Sequence, residues 1–113
     1  MNGIIKWGII GLGNVAHEFA KSFYNIKKAK LIAIASKTQN KLSKFKDEFN
    51  MDSKYCYDEY EKLLKNNEVD IVYIALPNNF HNEWIYRSLE LKKHVLVEKP
   101  AFIREENAKN IFK

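Results

Sequence analysis

The chain has 113 residues, of which 46% are hydrophobic and 29% charged, and carries a net charge of +5. That length makes one domain, residues 1–113, able to bury a core without metal or disulfide help, and the balance is that of a soluble globular protein. No apolar run approaches the ~20 residues of a membrane span, and the lysines (Lys27, Lys28, Lys30, Lys37, Lys41, Lys44, Lys46) alternate with apolar residues as on solvated helix faces, against a nucleic-acid-binding stripe. The single cysteine, Cys56, cannot form an internal disulfide, so a cytoplasmic protein is expected. Gly11, Gly13 and Asn14 interrupt the one apolar stretch near the N-terminus, which argues against a signal peptide.

Strand and helix periods alternate along the chain. Ile4 to Ile10 reads as a strand covered on both faces. Residues 14–24 place Val15, Ala16, Phe19, Ala20 and Phe23 on one helical stripe. Leu31 to Ala35 is a second buried strand, and Lys41 to Phe49 a second helix with Leu42, Phe45 and Phe49 inward. Lys54 to Tyr57 is a short third strand. Asp58 and Glu61 then have the spacing of a capping box opening a helix with Tyr60, Leu63 and Leu64 inward. Val69 to Leu76 predicts the central strand, after which Asn78 or Asn79 caps a helix carrying Trp84, Ile85, Ser88 and Leu89. His94 to Val97 is the fifth strand, and a further helix is expected from Glu105. Five such units with short connections predict an α/β fold: a doubly wound, mostly parallel Rossmann sheet with helices on both faces. The sequence ends inside an apparent helix, Ile111-Phe112-Lys113, which suggests a cut through a longer polypeptide.

Gly11-Leu12-Gly13-Asn14-Val15-Ala16 follows the first strand. Gly11 permits a tight turn, Gly13 lets backbone N–H groups approach a pyrophosphate, and Ala16 is small enough for helix-on-strand packing. The helix N-terminus at Asn14 and Val15 offers partial positive charge to the phosphates. About 20 residues on, where a carboxylate would bind the ribose 2′-hydroxyl of NAD, the chain instead reads Ser36-Lys37-Thr38. Two hydroxyls and a cation there favour NADP over NAD, although Lys37 can equally be one more exposed lysine. After the fourth strand, Leu76, Pro77, Asn78 and His81 occupy a loop at a carboxyl end, where α/β sheets bind ligands. His81 reads more readily as a helix-start or packing residue than as a proton-transfer group.

Together, Gly8-Ile9-Ile10-Gly11-Leu12-Gly13, the Pro77-Asn78…His81 loop and Glu98-Lys99-Pro100 after a Val-Leu-Val strand resemble the N-terminal half of the Gfo/Idh/MocA oxidoreductases. The likeness extends over nearly the whole chain. Trp7-Gly8-Ile9 and Val69-Asp70-Ile71-Val72-Tyr73-Ile74 are similar to its dihydrodiol and xylose dehydrogenase branch. The resemblance implies a hydride-transferring enzyme acting on a hydroxyl carbon of a sugar, cyclitol or related diol, homo-oligomeric at full length. It implies that Lys99 lies beside the nicotinamide as the catalytic cation stabilising developing alkoxide charge, and that Glu98 orients the loop and touches the cofactor.

Three departures accompany the likeness. Leu76 stands where the family usually has threonine. Lys92 replaces a glycine, costing on the order of 1 kcal/mol if its φ is positive. The family's second domain, with its histidine or tyrosine proton-transfer residue, is absent from these residues. The fragment alone is therefore expected to bind NADP or NAD with little turnover. A stand-alone nucleotide-binding module is the alternative, and an interaction fragment that has lost dinucleotide affinity is a third reading.

Overall fold

Continuous apolar runs become strands covered on both faces, and the 3.6-period stripes between them become the covers. The computed structural model describes residues 3–76 and 78–97, with the backbone alone described for 78–81. It consists of β1 (Ile5–Ile10), α1 (Asn14–Lys21), β2 (Ala29–Ala35), α2 (Gln39–Glu48), β3 (Cys56–Tyr57), α3 (Tyr60–Leu64), β4 (Ile71–Ile74), α4 (Asn78–Glu90) and β5 (His94–Val97). The strands form one sheet in the order β3-β2-β1-β4-β5, and every pairing is parallel. This is the doubly wound sheet that the sequence predicts.

Alternation divides the core in two. Ile9, Ile34 and Tyr73 face α1 and α2, where Ala16, Ala20, Leu42 and Phe45 cover them. Ile10, Ala33, Ala35, Val72 and Ile74 face α3 and α4, against Leu63, Leu64 and Ile85. A Cβ at Gly8 would lie 2.9 Å from Leu63 Cδ2, so the glycine admits α3 against β1. On the opposite face Phe19 stacks on Tyr73 with centroids 4.0 Å apart, and Trp7 meets Phe19 edge-on at 5.3 Å.

Several boundaries differ from the sequence reading. The first helix stops at Lys21 and tightens into a 3₁₀ turn over Ser22–Asn25. There the Ser22 hydroxyl donates to Phe19 O at 2.6 Å, a local bond that competes with the α pattern. The third strand is reduced to Cys56–Tyr57, because Asp52 caps a 3₁₀ turn over Ser53–Tyr55 and accepts from the Lys54 N–H at 3.1 Å. The expected capping box does not form. Asp58 takes the Lys62 ammonium at 3.0 Å, Glu61 pairs with Arg87, and Glu59 occupies the cap position without a side-chain bond. The ion pairs, one local and one long-range, win because each satisfies a full charge. Beyond Ile74 the ladder to β1 continues through Ala75 N–H to Ile10 O at 2.8 Å, and before Ile71 through Asp70 N–H to Lys6 O. Asn78 falls inside α4. The helix expected from Glu105 lies outside the described residues.

Lys92 adopts φ +65° after α4, the positive value the glycine position implied, and Asn50 reaches +54° after α2. The next residue, Lys93, is buried, and its ammonium donates to the Asn66 and Val69 carbonyls at 2.7 Å each. Burial pushes its pKa below the usual lysine range. The bonds tie the α4–β5 turn to the α3–β4 turn. No helix among the described residues is long and apolar enough to cross a membrane.

Two turns therefore carry measurable weight. Lys93→Met removes the donor shared by the Asn66 and Val69 carbonyls, of which Asn66 O keeps the Val69 N–H at 3.1 Å, and is expected to lower unfolding free energy by about 1–3 kcal/mol in urea denaturation. Gly11 has φ +91°, and a Cβ there would lie 2.6 Å from Ala75 O. Gly11→Ala should cost on the order of 3 kcal/mol, from left-handed strain plus the clash with backbone, measured by the same denaturation.

Candidate cofactor-binding edge

Because all five strands are parallel, their carboxyl ends share one edge. From β1 the chain passes through α1 to β2 on one side. From β3 it crosses through α3 to β4 on the other. The order reverses between β1 and β4, and a crevice opens at such a reversal in a doubly wound sheet. Gly11 closes the floor of that crevice. Its N–H donates to Ala35 O at 3.0 Å, and its missing Cβ leaves room for Ala75 and for Leu76 Cδ2, 2.9 Å from where a Cβ would stand. Leu76 is accordingly buried, its side chain packed on Gly11.

Gly13 differs from Gly11 although the motif pairs them. Its φ of −88° is open to any residue, and a Cβ there would meet nothing within 4 Å. It caps α1 with no side-chain bond. The first N–H groups of a helix have no intrahelical acceptor, so those of Asn14, Val15 and Ala16 are aimed at the crevice mouth. Asn14 and Val15 are exposed there, whereas Ala16 is fully buried and brings α1 close to the sheet. Open space in front of uncapped N–H groups fits a pyrophosphate.

At the end of β2, Ser36 is buried, and its hydroxyl accepts the Thr38 N–H at 3.1 Å, which folds the loop back into α2. Thr38 caps α2 without using its hydroxyl in a side-chain cap bond. Lys37 is exposed, and its ammonium lies 5.2 Å from the centroid of the Tyr60 ring. No strand neighbour of Ser36 in sequence suggests Tyr60. The link is the pairing of β2 with β3, continued by Ser36 N–H to Tyr57 O at 3.1 Å. The same turn brings Asp58 and Glu59 to this edge, two carboxylates that a search 20 residues beyond the glycines does not reach. Tyr60 itself meets Trp84 edge-on at 5.1 Å, and burial raises its phenol pKa, so it stays neutral.

Asn78 and His81 sit in the first turn of α4, beyond the carboxyl end of β4. Pro77, Glu98 and Lys99 lie outside the described residues. The register nonetheless levels Val97 of β5 with Ile74, and Ile74 with Ile10, so β5 runs toward the same edge. His17, which the sequence reading passed over, stands on α1 and bonds Glu48 at the end of α2 at 2.5 Å. Among the described residues no group of three His, Cys, Asp or Glu side chains could hold a metal.

Known proteins share this arrangement. The family described as "Oxidoreductase family, NAD-binding Rossmann fold" (GFO_IDH_MocA) matches residues 5–113. A 3-ketoreductase from Actinomadura kijaniata, solved with TDP-benzene and NADP, superposes with a TM-score of 0.85 at 33% identity, over 96% of this chain and 34% of that one. Scyllo-inositol dehydrogenase from Lactobacillus casei, solved with NAD(H) and scyllo-inositol, gives a TM-score of 0.83 at 29% identity, over 96% and 32%. Trans-1,2-dihydrobenzene-1,2-diol dehydrogenase of Mus musculus is 30% identical over 112 residues, 93% of this chain and 33% of its own length. The chain spans about a third of the length of the curated relatives it matches. With the family matching over residues 5–113 and the superposition covering 96% of its length, the chain belongs to the Gfo/Idh/MocA oxidoreductase family, of which it carries the NAD(P)-binding Rossmann fold.

Proposed function

We propose that this chain is the cofactor-binding half of an NADP-preferring oxidoreductase that acts on a hydroxyl carbon of a sugar, cyclitol or related diol. The observation that carries the reading is the open cradle at Gly13. It sits at the N-terminus of α1, at the point where strand order reverses. Gly11, Gly13, Asn14 and Val15 would hold the pyrophosphate. Ser36, Lys37 and Thr38 would meet the adenosine ribose, and the absence of a carboxylate at the end of β2 favours the 2′-phosphate of NADP. Leu76, Pro77, Asn78 and His81 would line the crevice on the β4 side.

The bound nicotinamide would accept or supply hydride. What the chain adds is Lys99, two residues beyond the level end of β5, whose ammonium would stabilise charge on the reacting oxygen. Glu98 would orient that loop. On this reading the substrate pocket, the proton-transfer partner and the contact surface of a homo-oligomer would be supplied by residues beyond these 113. A cytoplasmic location suits the one cysteine, half-buried and unpaired, whose thiol pKa burial pushes up.

Isothermal titration of the 113-residue chain tests the reading. NADPH is expected to bind, NADH more weakly, and neither to be turned over with polyols. Gly13→Val should lose NADPH affinity at least ten-fold, because its side chain fills the cradle, while the unfolding free energy falls by only about 1 kcal/mol, the loss of a glycine N-cap. A folded chain that binds neither dinucleotide overturns the proposal.

A further inference from the structure

Lys37 is the only cation within the Ser36–Thr38 turn, and what holds it is a ring. The β3–α3 turn brings Asp58 and Glu59 to the same edge, yet among the described residues Lys37 is in no ion pair. Asp58 is engaged with Lys62 one helical turn on. The Lys37 ammonium instead stands 5.2 Å from the Tyr60 centroid, within cation–π range. Tyr60 is in turn packed edge-on with Trp84 of α4. The difference matters for an anion. A carboxylate partner would neutralise the lysine and repel a phosphate, whereas a ring face restrains the flexible side chain and leaves its charge available.

We infer that Tyr60 is a specificity-determining positioning residue, holding the Lys37 ammonium beside Ser36 and Thr38 where it receives the 2′-phosphate of NADP. The inference rests on the dinucleotide reading above and adds the residue that sets its preference. Tyr60 acts through Lys37 and makes no contact with the cofactor itself. A sequence comparison confined to the end of β2 would miss it, because Tyr60 lies 23 positions downstream of Lys37.

The test is titration of the 113-residue chain and its variants with NADPH and with NADH, read as the ratio of the two affinities. Tyr60→Leu should weaken NADPH about two- to five-fold, the magnitude of an exposed cation–π contact, and leave NADH unchanged. Tyr60→Phe should keep the wild-type ratio. On a Lys37→Gln background Tyr60→Leu should change the ratio no further. If Tyr60→Leu fails to fold, a series of increasingly fluorinated phenylalanines at position 60 drains the ring face at constant shape, and the ratio should fall along the series. An unchanged ratio in the Leu variant or along that series, or an equal loss for both cofactors, overturns the role of Tyr60. So does a wild-type chain that binds both equally. A folded wild-type chain that binds neither overturns the dinucleotide reading as well.

Discussion

The structure depends on how closely the end of β1 is enclosed. β1 pairs with β2 on one side and β4 on the other, and its two faces are covered by different helices. At its last turn the chain must leave the sheet past the Ala75 carbonyl with a positive φ. Only a residue without a Cβ does both. The glycine at position 11 is thus a packing requirement before it is anything else, and the same turn leaves Gly13 and the start of α1 facing open space. Tightness at one glycine creates the opening at the next.

Charge is distributed in keeping with that division. At the amino end of the sheet the buried Lys93 is held by two backbone carbonyls, a structural use of a cation. At the carboxyl end Lys37 is exposed and rests on a ring, a use that keeps its charge outward. Most remaining ion pairs, such as Lys62 with Asp58 and Arg87 with Glu61, are exposed and contribute little individually. The positive net charge therefore reflects the solvated faces more than a single binding stripe.

Much of the fold was legible in residue order. The apolar runs ending at Ile10, Ala35 and Leu76 read as strands buried on both sides, and the stripes of Ala16 and Ala20 or Leu42 and Phe45 as their covers, and the sheet bears this out with the last of these strands shortened to Ile71–Ile74. What misled was local: Ser22 and Asp52 redirected backbone through short-range bonds, and Asp58 and Glu61 found charged partners instead of capping. In each case a side chain had two satisfiable options, and spacing identifies the options without ranking them. At the edge itself, the glycine turn and the Ser36–Thr38 turn were legible because each is continuous in sequence. Tyr60, Asp58 and Glu59 were not, since only the pairing of β2 with β3 brings them there.

The sequence by itself determined the alternation of elements and the two-sided burial of the sheet, and it marked Gly11 as a tight turn, because periodicity and turn chemistry are local properties of the chain. Tertiary structure alone decided that Gly11 abuts Ala75 and Leu76 while Gly13 meets nothing, that Lys93 is buried while Lys37 is exposed, and that Lys37 faces Tyr60. Those outcomes turn on which strand lies beside which. Neighbours in a parallel sheet are set by crossovers that each include a helix, a range over which residue spacing carries no information about distance.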